Sequence, residues 1–501
     1  MPEPEQGRAA TAAPRIGEWL VLAVVLLIIA GTVVVVIRTG NRDDTAGPPS
    51  DLPSTSPVAP GGPTTGPSGR PTDQPTDQEP RPRELAETVL DALDLGPAVT
   101  GSGVAAQLQP LLANPALGGR IGATVLDPAT DELLLDLDAD GGHVPASTTK
   151  VLTALATLET LGPDTRFRTT VVQAAGQVVL VGGGDPVLSQ RVEVNEGWVY
   201  PITRFDLLAR ATAEELLRAG TTSVVLGYAT DLFAGPAVNP AWEAGYVPGG
   251  QVAPVSALSL DGGRTRVGFA QRADDPARFA AERFAALLGD HGVQVEGAPM
   301  PQSTPRASPG SALIASAESP TVAEIVGQML TRSDNDGAEM LARHVARAEG
   351  EEPTFAGGSR AIVGVLERLG IPTDGLVLTD GSGLSRQNRI APVTLARALE
   401  LAYEDPDGSS RSLLAGLPVA GFTGTLTNRF ADPQSAPEAG DIRAKTGYLS
   451  RVVALAGYVV DADDRLLVFV VLADAVVPVS TLDAQRAVDQ LAARLATCGC
   501  R

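Results

Sequence analysis

Lysine is nearly absent from this chain of 501 residues, which has 36 arginines but only two lysines, Lys150 and Lys445. Arginine stays protonated at any accessible pH, whereas a buried lysine can lose its proton and act as a base. A composition that otherwise excludes lysine indicates that these two positions need a property that arginine lacks. We therefore expect both lysines to lie in a functional site.

Histidine and cysteine are scarce as well. The three histidines, His143, His291 and His344, are scattered, so a Ser-His-Asp hydrolase or a zinc site lacks its usual side chains, and we expect them in loops or at the surface. The two cysteines, Cys498 and Cys500, are too few for a structural metal site. A bridge between them, a bridge to another chain and free thiols are all compatible with the sequence. We predict neither a metal nor a cofactor.

The balance of charge is acidic, with a formal net charge of -21 and a pI of about 4.6. Nucleic acids and anionic lipid surfaces repel such a chain, and no basic patch with interleaved aromatic residues reverses this. We therefore exclude nucleic acid as a partner of the folded part. The length of the chain and its hydrophobic content of 44% suffice for two or more cores.

An uncharged apolar run extends from Trp19 to Ile37. Its 19 residues are enough to cross the hydrocarbon core of a membrane as a helix, and no A-x-A cleavage site follows it. We predict an uncleaved signal anchor at residues 19–37, preceded by a short cytoplasmic segment at residues 1–18. Residues 38–84, which are rich in Pro, Thr, Gly and Asp, are predicted to be a disordered linker.

Both lysines stand in short motifs that are typical of one class of enzyme. The residues from Ser147 to Lys150 read S-T-T-K, Lys445 opens the triplet K-T-G, and Ser333 opens the triplet S-D-N between them. In this order, S-x-x-K, S-D-N and K-T-G mark active-site-serine β-lactamases and penicillin-binding proteins. An apolar helical stretch follows Ser147, and positions i and i+3 share one face of a helix, so the Lys150 amine can reach the Ser147 hydroxyl.

The pattern of apolar residues predicts an α+β fold. Two strands before Ser147, at residues 120–127 and 132–138, and three strands that begin at Lys445 predict an antiparallel sheet covered by helices. A helix at about residues 482–496 completes it. The sheet is thus assembled from both ends of the sequence.

The distance between the first two motifs predicts an insertion. Ser147 and Ser333 are 186 residues apart, far more than a helical cluster needs to bring them together. We predict a catalytic domain formed by residues 85–170 and 313–497, interrupted by an inserted domain at residues 171–312.

Three further stretches carry a resemblance to a known family. They are G-D-P at residues 184–186, V-A-P-V-S-A-L at residues 252–258 and D-G-S-G-L-S-R at residues 380–386. With the motifs and the insertion, they make roughly residues 85–497 resemble the D-alanyl-D-alanine carboxypeptidase/endopeptidase family, the class C low-molecular-mass penicillin-binding proteins. The resemblance implies a β-lactamase-like transpeptidase domain interrupted by an inserted domain, hydrolysis of peptidoglycan stem peptides and covalent inhibition by β-lactams.

The resemblance also implies catalytic roles. Ser147 attacks the carbonyl of the penultimate D-alanine, and Lys150 accepts its proton. Burial and the neighbouring cation of Lys445 are expected to keep Lys150 neutral. Ser333 relays the proton toward the leaving amine, and Asn335 holds the substrate amide or the Lys150 side chain.

By the same resemblance, five residues are expected to bind the substrate: Thr446, Gly447, Tyr448, Arg386 and Asp231. The backbone N–H groups of Ser147 and Tyr448 form an oxyanion hole beside Gly447, and the Thr446 hydroxyl binds the terminal carboxylate. Tyr448 stands where the family usually has Thr or Ser, which removes one hydroxyl from that carboxylate site. Arg386 binds the carboxylate of a diaminopimelate side chain.

The acidic partner for the amine of that side chain is expected in a segment that residues 228–235 resemble. The aligned position appears as Ala229, so Asp231, two residues further on, is the candidate.

The expected substrate places the catalytic domain outside the cell membrane, held by one N-terminal helix. Two alternatives remain open: a membrane-anchored sensor of β-lactams or muropeptides that acylates without turnover, and a β-lactamase. A class A β-lactamase needs a Glu-x-x-x-Asn after the S-D-N motif, and the sequence after Asn335 lacks one. Turnover separates an enzyme from a sensor.

Overall fold

The computed structural model describes residues 99–190, 201–266, 269–305, 311–405 and 407–501. The cytoplasmic segment, signal anchor and linker predicted at residues 1–84 lie outside the described residues. Within the described ranges, no helix is both long and apolar enough to span a membrane.

The described residues form helices and strands in alternating blocks. The α-helices are α1 (Gly101–Leu112), α2 (Thr149–Leu161), α3 (Phe205–Arg218), α4 (Pro276–Asp290), α5 (Val322–Arg332), α6 (Asn335–Ala348), α7 (Phe355–Arg368), α8 (Pro392–Glu404), α9 (Arg411–Gly416) and α10 (Thr481–Ala496). The strands are β1 (Ile121–Asp127), β2 (Glu132–Leu137), β3 (Arg166–Ala174), β4 (Gln177–Val181), β5 (Leu188–Ser189), β6 (Thr203–Arg204), β7 (Ser223–Val224), β8 (Leu226–Ala229), β9 (Gln294–Val295), β10 (Met300–Pro301), β11 (Ala312–Thr321), β12 (Ile442–Leu449), β13 (Val452–Val460) and β14 (Leu466–Ala473).

The first sheet is antiparallel and joins the two ends of the described chain. Its order is β12-β13-β14-β1-β2, and Ile121 of β1 lies opposite Ala473 of β14. Both faces of β14 are buried, because its alternate residues enter two different cores: Val468, Val470 and Leu472 on one side, and Leu467, Phe469 and Val471 on the other. Helices α2 and α8 belong to the first core, and α1 and α10 to the second. This confirms the prediction of an α+β fold with an antiparallel sheet and covering helices.

A second sheet lies in the long segment between the first two motifs. Its order is β10-β8-β4-β3-β11, with β8 parallel to both β4 and β10. Phe205 of α3 and Phe284 of α4 pack against it in a separate core. The boundaries predicted for the inserted domain fall within β3 and at the first residue of β11. They remain predictions.

The G-D-P stretch at residues 184–186 connects the segment that contains the second sheet to α6. The His344 ring of α6 stacks on Phe167 with a centroid distance of 3.9 Å, and its Nε2 lies 3.0 Å from the Gly184 carbonyl oxygen. Burial lowers the pKa of His344 to about 4, so the neutral ring carries its single proton on Nε2 and donates it. His344 is therefore a core residue of a helix, and the expectation that it lies in a loop or at the surface is wrong. His143 lies in the loop before Ala146, as expected, although its side chain is fully buried.

Cys498 and Cys500 form a disulfide with each other, which is the first of the three states that the sequence left open. Both side chains are buried beside α1 and α10. The Cys500 carbonyl oxygen accepts the Thr100 N–H at 2.7 Å, which holds the end of the chain against the start of α1.

Candidate active site

Ser147 lies in a single 3₁₀ turn, Ala146–Thr148, that runs directly into α2. The Thr148 hydroxyl fixes this turn by donating to the Pro145 carbonyl oxygen at 2.8 Å. Strand β12 passes so close that a Cβ on Gly447 would lie 2.6 Å from the same oxygen, which explains the glycine of K-T-G. The serine is thus held between the start of a helix and a strand.

The Lys150 amine is fully buried and has three polar neighbours. Its Nζ lies 2.6 Å from the Ser382 carbonyl oxygen, 2.7 Å from Asn335 Oδ1 and 3.0 Å from Ser147 Oγ. The Asn335 amide is oriented by its Nδ2, which donates to the Gln251 carbonyl oxygen at 2.8 Å. Two of the three neighbours can only accept, so a neutral amine donates its two hydrogens to them and directs its lone pair at the Ser147 hydroxyl. That is the orientation of a general base.

Burial lowers the pKa of Lys150 to about 8, despite four carboxylates that raise it: Asp380, Glu339, Asp334 and Asp336, in order of decreasing effect. Desolvation disfavours the charged ammonium, and the carboxylates partly restore it. A substantial fraction of Lys150 is therefore neutral slightly above neutral pH.

Lys445 is also fully buried. Its Nζ lies 3.0 Å from Ser333 Oγ and 2.8 Å from the Thr446 carbonyl oxygen. Burial first, and then the charge of Lys150, hold its pKa well below the ordinary value for lysine. The sequence predicts that burial and the charge of Lys445 together keep Lys150 neutral. Burial does lower the pKa of Lys150, but the charge of Lys445 is not among the causes; the charge of Lys150 instead lowers the pKa of Lys445.

The S-D-N motif occupies the junction between α5 and α6. Ser333 ends α5 in a left-handed conformation with φ of 57°, and the Asp334 side chain caps α6 by accepting the Asp336 N–H. The Asp336 carboxylate lies 3.1 Å from the Arg272 guanidinium in a buried ion pair and accepts the Ala253 N–H at 2.7 Å. Residues of the long insertion therefore fix the start of α6, from which Asn335 reaches Lys150.

A cavity of about 460 Å³ opens beside these motifs. Ser147, Ser333, Thr446, Gly447 and Tyr448 line it, together with Thr425, Asn428, Arg429 and Gln485. The Tyr448 side chain is 56% exposed, and the Thr446 hydroxyl lies 2.8 Å from that of Thr425. No group of three or more His, Cys, Asp or Glu in the described ranges is placed to hold a metal ion.

Arg386 and Asp231 have different surroundings. Arg386 donates to the Glu243 carboxylate at 2.6 Å and to the Ser450 carbonyl oxygen at 2.8 Å, which places it beside the end of β12. The described hydrogen bonds of Asp231 are with Thr304. The carboxylate next to Arg386 is thus Glu243, 143 residues away in sequence and without a motif that could have revealed it.

Sequence reasoning also missed the groups behind Lys150. Ser382 contributes a backbone carbonyl, which no side-chain motif can reveal. The buried Glu339 accepts the Ser382 N–H at 2.8 Å. Its position four residues after Asn335, on the same face of α6, was an available signal.

Two serines that line a cavity, each within 3.0 Å of a buried lysine amine, form the arrangement of active-site-serine β-lactamases and penicillin-binding proteins. The chain matches the model of the D-Ala-D-Ala carboxypeptidase 3 (S13) family over residues 104–273 and 265–497. It belongs to that family, whose members are serine peptidases.

Individual relatives agree with this assignment. Carboxypeptidase DacB of Mycolicibacterium smegmatis is 37% identical over 81% of this chain and 86% of that protein. Carboxypeptidase Rv3627c of Mycobacterium tuberculosis is 34% identical over 84% of this chain and 89% of its own length. The crystal structure of penicillin-binding protein 4 from Haemophilus influenzae shares the fold, with a TM-score of 0.62 and 20% identity over 78% of this chain and 98% of that chain.

Proposed function

We propose that this chain is a D-Ala-D-Ala carboxypeptidase and DD-endopeptidase that hydrolyses peptidoglycan stem peptides through an acyl-enzyme on Ser147. The orientation of the Lys150 amine supports this most directly. Two acceptors, Asn335 Oδ1 and the Ser382 carbonyl oxygen, take its hydrogens and leave the lone pair for Ser147. Family membership supplies the substrate class, the terminal D-Ala-D-Ala bond.

The reaction follows from these positions. Ser147 Oγ attacks the carbonyl carbon of the penultimate D-alanine while its proton passes to Lys150 Nζ, 3.0 Å away. The oxyanion is stabilised by backbone N–H groups of Ser147 and Tyr448. Collapse breaks the peptide bond, and the proton held by Lys150 passes through Ser333, whose Oγ lies 3.0 Å from Lys445 Nζ, to the leaving amine, so that Lys150 is neutral again. Water, deprotonated by Lys150, then cleaves the ester and restores the serine.

β-Lactams are expected to acylate the same serine, because the first half of the reaction needs only the nucleophile, its base and the oxyanion hole. Benzylpenicillin should add covalently to Ser147, as read by intact-mass spectrometry and peptide mapping. Ser147→Ala should lose the adduct, and labelling that persists in this variant contradicts the assignment. Digestion of purified cross-linked muropeptides completes the test: acylation without release of D-alanine or cleaved cross-links would indicate a sensor, and rapid release of penicilloate a β-lactamase.

The two lysines are expected to respond differently to replacement by arginine. Lys150→Arg should lower the rate of acylation at least about 100-fold, because a guanidinium cannot give up its proton to become the base. Lys445→Arg should retain a larger part, since arginine keeps a cationic donor for Ser333. Stopped-flow measurement with a chromogenic β-lactam compares the two, and full activity of Lys150→Arg refutes its role as base.

We also propose that Arg386 selects the stem-peptide side chain. The end of a diaminopimelate side chain carries a carboxylate and an ammonium, and the Arg386–Glu243 pair, joined at 2.6 Å, offers one opposite charge to each. Arg386 is only about one-third exposed and its partner about half exposed, so both heads are accessible to a ligand. Asp231, bonded to Thr304, stays the less favoured candidate for the ammonium.

Arg386→Ala should lower kcat/KM for a diaminopimelate peptide about 10- to 150-fold, the loss expected for a bidentate charge-assisted bond. Glu243→Gln should impair the same peptide. A lysine peptide, which has no such carboxylate, and acylation by benzylpenicillin serve as controls and should change little for Arg386→Ala. Equal losses on all three substrates would mean that Arg386 is structural.

We propose that the protein is a single-pass membrane protein with its catalytic part outside the membrane. The uncharged run at residues 19–37 and the location of peptidoglycan support this. The protein should fractionate with membranes and its catalytic part should be cut by protease added to wall-stripped cells. A released form cleaved just after Ile37, or protection from external protease, contradicts the proposal.

A further inference from the structure

Glu339 is a buried carboxylate that the steps above do not use. It lies on α6 four residues after Asn335 and is 1% exposed. One carboxylate oxygen accepts the Ser382 N–H at 2.8 Å and the other accepts the Gly381 N–H at 3.3 Å. A carboxylate is rarely buried to this extent without a full ionic partner.

These bonds hold the loop that binds the Lys150 amine. The Ser382 carbonyl oxygen accepts from Lys150 Nζ at 2.6 Å, and the Gly381 carbonyl oxygen accepts the Thr153 hydroxyl at 2.7 Å. Glu339 therefore accepts the N–H groups of Gly381 and Ser382, and the carbonyl groups of the same two residues accept hydrogen bonds from α2. A shift of this loop moves the acceptor that orients the base.

A second carboxylate, Asp380, holds the rest of the loop. It accepts the N–H groups of Gly383 at 2.9 Å and Ser385 at 2.7 Å, and the Trp242 indole N–H at 2.8 Å. These bonds leave Gly381 and Ser382 dependent on Glu339 for their amide acceptors.

We propose that Glu339 is a positioning residue of the reaction, which holds the Ser382 carbonyl against the Lys150 amine and stabilises the proton that this amine takes from Ser147. This rests on the proposed function, because it assigns a role to Glu339 within the same acyl transfer. The residue touches neither the substrate nor the serine and acts through Lys150.

The charges around Lys150 give the proposal a measurable sign. Carboxylates face the amine from the start of α6, from Glu339 further along that helix and from Asp380 in the loop, while Lys445 faces it from β12. On their far sides, Arg343 of α6 acts on Glu339 and Arg272 on Asp336. Burial raises the pKa of Glu339 to about 7, and the pKa of Lys150 is about 8.

The direction of the pH effect follows. Glu339 is ionised above its pKa, where its charge raises the pKa of Lys150 and so delays loss of the lysine proton as pH increases. The neutral base appears as pH rises through about 8 and is lost as pH falls through the same range. Removing the charge of Glu339 lowers the pKa of Lys150, so the acidic limb of the acylation profile moves to lower pH.

The test is the pH dependence of the acylation rate by a chromogenic β-lactam, measured on the full chain in detergent. Glu339→Gln should move the acidic limb down by about one pH unit. It should also lower the plateau about 10-fold, because the new amide NH₂ faces the Gly381 N–H and cannot accept from it. If the plateau falls but the acidic limb does not move, Glu339 has only a structural role, and the proposed effect of its charge on the pKa of Lys150 is wrong.

Two further variants complete the test. Glu400→Gln removes another buried carboxylate, paired with Arg397 on α8 and not among the charges acting on Lys150, and should leave the limb in place. A shift equal to that of Glu339→Gln overturns the proposal. Glu339→Asp keeps the negative charge, but its shorter side chain no longer reaches the Gly381 and Ser382 N–H groups. The acidic limb of the pH profile should therefore stay in place while the plateau of the acylation rate falls. An unchanged plateau overturns the positioning role. This variant still tests the positioning role if Glu339→Gln does not fold.

The proposed function fails separately, by absence of acylation at Ser147 in the unsubstituted chain. If Ser147 is acylated but substitution of Glu339 does not move the acidic limb of the pH profile, the proposed function stands and only the inference about Glu339 is wrong.

Discussion

Two lysine side chains are completely buried within one site, and the free-energy cost of that burial constrains the groups around them. Taking an ammonium ion out of water costs several kcal/mol after relaxation, so a buried lysine either finds compensating charges or loses its proton. Around Lys150 both occur, because carboxylates raise its pKa while burial lowers it to about 8. The hydrogens of the neutral amine still need acceptors. The fold supplies them as one side-chain amide and one backbone carbonyl, and the remaining lone pair then faces the Ser147 hydroxyl, as the proposed role of a base requires.

Supplying those acceptors requires distant parts of the chain to meet. Ser147 lies in the turn that leads into α2, Lys150 lies in the first turn of α2, Asn335 begins α6 and Lys445 lies on β12. Two helices and a strand that are far apart in sequence therefore form the site. The insertion contributes as well, because the Gln251 carbonyl orients the Asn335 amide and Arg272 pairs with Asp336. The segment between the first two motifs is therefore part of the catalytic geometry as well as a separate packing unit.

Much of the first sheet and the motif residues could be predicted from sequence, because period-two and continuous apolar patterns, helix spacing and three ordered motifs are local signals. The second sheet is mixed, with β8 parallel to its neighbours. Its strand pairing could not be predicted, because paired strands that are far apart in sequence produce no periodic pattern in the sequence. The partner of Arg386 could not be predicted for the same reason, since Glu243 meets it only through tertiary structure. Buried charge was missed more generally. A carboxylate such as that of Glu339 is expected at the surface of a protein. Its burial is explained by the hydrogen bonds that it accepts from the Gly381 and Ser382 N–H groups, which become visible only in the structure.

The central claim is that Lys150 is neutral in a substantial fraction of molecules near physiological pH. Because the chain has only two lysines, protein labelled with ¹³C at lysine Cε gives two resonances, both from this site, and Lys150→Arg assigns them. An NMR titration of the unacylated protein measures each pKa directly and needs no substrate. The account predicts a midpoint of about 8 for Lys150 and a pKa for Lys445 well below that of an exposed lysine. A Lys150 midpoint near the ordinary lysine value of about 10.4 would contradict it.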